Sequence, residues 1–194
     1  MAIFCKIIFA SLLFYQLIFI SCKTKSQSLN KNSFSKVDNS DTIFNQFTHC
    51  FNDTLPKPKN YVSDYENIFA PQEEDSLNQI INLFEKQTTN QIAVVSFDTL
   101  MVTKNNFDAL TLKLANAWGV GQKDKNNGIL IGISAGYKKM RIQNGRGIEK
   151  ILSDSVTRVI VDSSFIPLFK KDHYFNGTLV GINAIIKKLN ELRQ

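Results

Sequence analysis

The chain has 194 residues, 43% of them hydrophobic, and a formal net charge of +6. Residues 23–60 carry six lysines against three aspartates, whereas residues 61–194 carry sixteen basic residues against fourteen acidic ones, so the excess lies mostly ahead of a balanced stretch. The basic residues are scattered and form no aromatic–basic stripe of the kind that binds single strands, which argues against nucleic acid as a partner.

Lys6 is the only charge in the first 21 residues, and the apolar run Ile7–Ile20 follows it. A membrane-crossing helix needs about 20 apolar residues; this run has the length of a signal-peptide core. Ser21-Cys22 closes it, and the chain turns polar at once with Lys23-Thr-Lys-Ser. This junction resembles the bacterial lipobox, although Phe19 stands where leucine is commonest. The resemblance implies a signal peptide over residues 1–21, cleavage before Cys22 and lipidation of that thiol. An uncleaved anchor with an incidental cysteine is the alternative, and either reading puts the rest of the chain outside the cytoplasm. Lys23, rather than aspartate, favours the outer membrane by the same resemblance, with the domain in the periplasm. Cys5 leaves with the signal, so Cys50 is a single thiol with no partner for an internal disulfide, and His49 beside it makes no zinc site.

Residues 22–60 are rich in Lys, Ser, Asn and Asp, with one apolar patch at Ile43, Phe44 and Phe47 and the stretch Leu55-Pro-Lys-Pro-Lys. Such a segment buries too little to offset its ordering entropy and reads as a tether. As a flexible coil it would span roughly 35 Å.

Helical spacing begins with Leu77, Ile80, Ile81 and Phe84, behind an acidic first turn opened by Pro71. Gln91–Phe97 is a short β-branched run suited to a strand covered on both faces. Phe107, Leu110, Leu114 and Trp118 restore helical spacing up to Gly119, and Ile129–Ile133 reads as a second buried strand. Ser134-Ala-Gly-Tyr is a turn into Lys139–Asn144, whose alternation marks a more exposed third strand. Ile148, Ile151, Leu152 and Val159 indicate a helix that a break near Pro167 ends. A last helix carries Leu179, Ile182, Ile185, Ile186 and Leu189. The expected fold is α/β, one domain over residues 61–194 with a mixed sheet and one crossover, right-handed by the general rule.

If the first two strands are parallel and the third returns, the loop Gly119–Gly128 and the turn Asn144–Glu149 emerge at one end of the sheet. Asp124, Asn126, Asn127, Glu149 and Asp154 supply hard oxygen donors there, suited to Ca²⁺ or Mg²⁺. Asn-Gly and Gly-x-Gly are also ordinary turn chemistry, and Glu149 could simply cap a helix.

Six pieces in order resemble the TPM-domain family: Val62-Ser-Asp64, Trp118-Gly-Val-Gly121, Asn127-Gly128, Arg141–Glu149, Leu152-Ser-Asp154, and Pro167-Leu-Phe169 with Asp172-His-Tyr174 and Gly177. The resemblance spans about Tyr61 to Leu192. It implies a three-layer α/β/α sandwich around a small mixed sheet, calcium binding in some members and acid phosphatase activity in others. It also implies Asp64, Asn127, Glu149 and Asp154 as cation ligands. Arg146 stands where an aromatic is common and Asn126 where members often have aspartate, and with one carboxylate fewer the cation site would be weak.

As an enzyme the chain would be a metal-dependent phosphomonoesterase, with a cation on Asp64 and Glu149, Arg146 clamping the phosphate and the Gly145–Gly147 backbone donating to it. These loops contain no cysteine or histidine nucleophile, and His173 stands alone. The preferred expectation is an accessory or assembly factor, lipid-anchored and docking on a membrane-associated protein complex, whose tether raises its effective concentration there.

Overall fold

The computed structural model describes residues 55–191. The expected signal peptide, Cys22, Cys50 and the first part of the expected tether lie outside the described residues. Strands β1 (Val62–Asp64), β2 (Gln91–Ser96), β3 (Gly128–Ser134) and β4 (Lys139–Asn144) form one sheet in the order β1-β2-β3-β4. The first three are parallel, with Asp64 opposite Ser96 and Gln91 opposite Gly128. β4 returns antiparallel, pairing Asn144 with Ile129 and Lys139 with Ser134.

β2 and β3 are buried along nearly their whole length because both faces are covered, which is why they read as continuous apolar runs. β4 is an edge strand and buries only Ile142, in keeping with its charged alternation. β1 is a strand the periodicity does not show, since three residues carry no period.

Helix α1 (Pro71–Thr88) starts with proline at its first position, and Glu73 reaches back to accept from the Ala70 N–H at 2.8 Å. It ends on Thr89, whose φ of 64° closes the last turn. α2 (Phe107–Ala117) ends at Trp118 before Gly119, at φ +62°. Residues expected to open the next helix at Ile148 form turns instead; α3 (Asp154–Ile160) begins after Ser153, whose Oγ accepts from the Val156 N–H.

The expected break near Pro167 does not end the helical path. A π-turn (Val161–Phe165) leads into the short α4 (Ile166–Phe169), which contains Pro167. Proline has no N–H for the carbonyl four residues earlier and its ring crowds that carbonyl; a wider turn ahead of it relieves both. α5 (Tyr174–Asn190) closes the fold.

Two cores flank the sheet. On one face Val62, Ile92, Val94, Ile129, Ile131 and Ile133 meet α1 and the α3–α5 layer through Leu77, Ile81, Phe165, Ile182 and Ile185. On the other, Ala93, Val95, Phe97 and Leu130 meet α2 through Phe107 and Leu114, with Phe97 and Phe107 edge to face at 5.4 Å. The layers are therefore α/β/α. β1 adds a second crossover to the one expected. Both crossovers step the same way across the sheet, yet α1 and α2 lie on opposite faces, so the two have opposite hands. The right-handed rule cannot hold for both.

Candidate functional site

At the amino end of β2 and β3, the loop 119–128 and the turn 144–149 meet as their glycines and the strand directions require. A Cβ on Gly145 would collide with the Asn126 carbonyl, one on Gly147 with that of Lys125, and one on Gly128 with that of Val120. The Gly147 N–H donates to Asn126 O at 3.0 Å and the Gly145 N–H to Gly128 O at 2.8 Å. These N–H groups hold the two loops together, and the expected phosphate cradle over Gly145–Gly147 is not formed.

Asn127 is 5% exposed and its amide is fully used. Its Oδ1 accepts from the Gln122 N–H at 2.8 Å; its Nδ2 donates to Thr89 O at 2.8 Å and to Asn90 Oδ1 at 3.2 Å. Gln91 does the same from β2, accepting from the Gly121 N–H at 2.6 Å and donating to Glu85 at 2.7 Å. Asn144, at the end of β4, donates to Leu152 O at 2.9 Å and Thr157 Oγ1 at 2.8 Å, tying the turn to the start of α3. What remains outward at this end is polar and mostly charged: Lys123, Asp124, Lys125, Arg146, Glu149 and Asp154, with the neutral Asn126, are all exposed.

Asp64 does not join them. It ends β1 opposite Ser96, whereas Asn127 precedes Gly128, which faces Gln91. The length of β2 separates them, roughly 17 Å at about 3.3 Å per residue. The set Asp64, Asn127, Glu149 and Asp154 is therefore split between opposite ends of the sheet and does not converge on one cation. The physical reason is the direction of β1: a parallel strand carries its last residue to the carboxyl end, away from the glycine loops.

At that carboxyl end Asp64, 3% exposed, is a structural acceptor. The Ser96 hydroxyl donates to its Oδ1, and the Phe69 N–H donates to its Oδ2 at 2.8 Å. Ser96 Oγ in turn accepts from the N–H groups of Tyr65 at 2.8 Å and Glu66 at 2.9 Å. The pair shapes the turn leaving β1.

Glu66 is the residue sequence reasoning passed over. Its carboxylate grips the β3–β4 turn, accepting from the Ala135 and Gly136 N–H groups, each at 2.8 Å. Burial pushes its carboxyl above the ordinary range; those two N–H bonds pull the other way, and the nearby Asp98 and Asp64 charges add to the rise. Glu74 is raised for the same first reason, burial, with Asp64 next. The only sequence signal for Glu66 is an acid two residues beyond Asp64. His173 is exposed just ahead of α5. Among the described residues, no three His, Cys, Asp or Glu side chains are grouped as a metal site would need.

The expected tether reaches only part of its range. Leu55 packs on the second core, Trp118 donates to Pro56 O at 2.7 Å, and Tyr65 donates to Lys57 O. Lys59 donates to Asp64 O at 2.8 Å and lies over the Tyr65 ring, 4.8 Å from its centre. Residues 55–60 belong to the folded body.

A sequence profile of the TPM domain matches residues 62–188. Among solved structures, the chain is similar to the N-terminal domain of a protein from P. gingivalis, determined by solution NMR, at 26% identity and a TM-score of 0.62, covering 69% of this chain and 83% of that one. It is also similar to the BA42 protein of the psychrophilic bacterium Bizionia argentinensis, at 20% identity and a TM-score of 0.57, covering 66% and 85%. A third is the N-terminal domain of the cg2496 protein from Corynebacterium glutamicum, at 13% identity and a TM-score of 0.52, covering 69% and 83%. The last two identities speak to the fold alone. No curated protein gives a significant match.

Proposed function

Since this chain belongs to the TPM-domain family, we propose that it is a membrane-tethered extracytoplasmic accessory factor that docks on a membrane-associated protein complex through the loops at the amino end of its sheet. One observation supports this most. The motif residues Asn127, Gly128, Gly145 and Gly147 are spent on fixing two loops against each other. The result is a rigid frame displaying Lys125, Arg146, Glu149 and Asp154 outward, a mixed-charge polar surface suited to orienting a partner. A lipid on Cys22 and a polar tether ahead of Leu55 would confine that surface to the membrane and raise its local concentration against membrane partners.

The four-residue cation set implied by the resemblance is split between the two ends of the sheet, and the proposed docking does not rest on it. The experiment compares full-length wild type, Cys22→Ser and the charge reversal Arg146→Glu/Glu149→Lys in native membranes. The wild type is expected to migrate with a large membrane complex on native gels; both variants are expected to leave it while remaining folded. Steady hydrolysis of p-nitrophenyl phosphate, dependent on Ca²⁺ or Mg²⁺ and lowered tenfold or more by Glu149→Ala, would overturn the accessory reading in favour of a metal-dependent acid phosphatase.

A further inference from the structure

At the opposite end of the molecule from those loops, a cavity of about 270 Å³ lies between the β3–β4 hairpin and the corner joining α4 to α5. Its walls are Met140, Ile166, Phe169 and the Tyr174 ring, and Lys138 and Lys170 stand at its rim. Crevices outside the carboxyl ends of parallel strands are where open α/β sheets bind ligands, and an apolar pocket with a few polar groups at its mouth has the composition of a small-molecule site.

The charge at the mouth is one-sided. Lys139 also borders the cavity, but its ammonium is committed to Asp108 at 3.1 Å. Lys138 and Lys170 are exposed and enter no ion pair among the described residues. Glu66 and Asp172, whose charges reach Tyr174, do not line the cavity. Glu66 accepts from the Ala135 and Gly136 N–H groups and Asp172 from the Tyr174 hydroxyl at 3.4 Å, while the lining itself carries lysines and no acid. Two uncommitted ammonium groups above an apolar floor favour a ligand with an anionic head and an apolar body. A dry cavity of about 150 Å³ holds benzene, so this one suits a body and head of about ten non-hydrogen atoms, too few for a nucleotide or a diacyl lipid.

We infer that this cavity binds a small amphipathic carboxylate, such as a short acyl or aryl-alkanoic acid, with its chain or ring against Phe169 and Met140 and its carboxylate between Lys138 and Lys170. This inference is independent of the docking surface at the other end of the sheet. The test uses the full-length protein in its membrane and a diazirine-bearing analogue of 3-phenylpropionate, with adducts located by mass spectrometry. Labelling is expected on Met140, Ile166 or Tyr174. An excess of 3-phenylpropionate should suppress it, whereas the uncharged 3-phenylpropanol or inorganic phosphate should suppress it at least tenfold less. Lys138→Gln/Lys170→Gln should cut labelling tenfold or more and Lys138→Arg/Lys170→Arg should retain it. Both pairs change exposed side chains, so folding is preserved. Equal competition by the alcohol, wild-type labelling in the glutamine variant, or adducts scattered away from the cavity would each overturn the assignment.

Discussion

The indole N–H of Trp118, at the end of α2, donates to the carbonyl of Pro56 at 2.7 Å, across 62 residues of sequence. That bond and its neighbours fasten a segment whose composition reads as linker. Leu55 and Trp118 both pack against the second core, and Lys59 spans Tyr65 and the Asp64 carbonyl. A chain beginning at residue 61 is therefore expected to be less stable than one beginning at residue 55 by about 2–4 kcal/mol, counting a few hydrogen bonds at about 1 kcal/mol each and one partly buried leucine. Trp118→Phe keeps an aromatic ring but removes the donor and part of the packed ring area, and should cost about 1–2 kcal/mol. Urea denaturation of the three proteins decides it; equal midpoints would return residues 55–60 to the tether.

Asn127 separates a structural amide from a cation ligand. A ligand changed to aspartate should bind Ca²⁺ more tightly. A structural amide changed to aspartate loses its donors to Thr89 O and Asn90 Oδ1 and sets a carboxylate against those two oxygens. Asn127→Asp and Asn127→Ala are both expected to lose about 1–3 kcal/mol, since each breaks the part-buried bonds that tie the loop to Thr89 and Asn90. Millimolar Ca²⁺ should not restore the midpoint of either, and restoration of the aspartate variant by calcium would put a metal at this loop.

How much of this was legible follows from what each residue has to do. β2 and β3 announce themselves because burial on both faces demands continuous apolar runs, and α1 and α5 because one buried face imposes a helical period. The meeting of the glycine loops was legible too, since strand direction alone brings them to one end. Asp64 was not placed, because its strand is three residues long and leaves no periodic trace; without β1 the end of the sheet to which it belongs has no sign in the sequence. A resemblance gathers residues by family motif and not by position in space, so it pooled two ends into one set. Glu66 was missed because its partners are backbone N–H groups about seventy residues away, which no side-chain pattern encodes.

Glu66 predicts a pH dependence. Its folded carboxyl lies above the ordinary 4.5, with burial the leading cause, so the folded protein holds this proton more tightly than the unfolded chain. Its contribution to stability is fully present below the unfolded value and is lost as pH rises through the folded one. Thermal midpoints of the wild type should therefore carry a downward component as pH rises from about 4 through the Glu66 transition. Glu66→Gln, which does not titrate, should remove that component and give a flatter profile in the same window. An unchanged slope would assign the component to Glu74, which burial, with the Asp64 charge next, also raises.

Gly177 and Gly181, one turn apart on α5, face Phe169 and Phe165. A Cβ on Gly181 would collide with three atoms of the Phe165 ring, and one on Gly177 with the edge of the Phe169 ring. Alanine in place of an exposed helical glycine ordinarily stabilises by about 1 kcal/mol. Here the opposing term is larger: Phe165 is fully buried and its ring cannot swing into solvent, so α5 must move away from the π-turn. Overpacking of this kind costs about 1–3 kcal/mol after relaxation, so Gly181→Ala should be net destabilising despite its better helix propensity. Shortening the aromatic with Phe165→Leu costs packing by itself, yet it opens the space the new methyl needs. The double variant should therefore be more stable than the sum of the two single losses, by at least about 0.5 kcal/mol of coupling in a double-mutant cycle. Asn183→Ala, an exposed position on the same helix, serves as the control and should be neutral or slightly stabilising. If Gly181→Ala stabilises as Asn183→Ala does, α5 does not seat on Phe165, and the close packing of the π-turn against α5 is wrong.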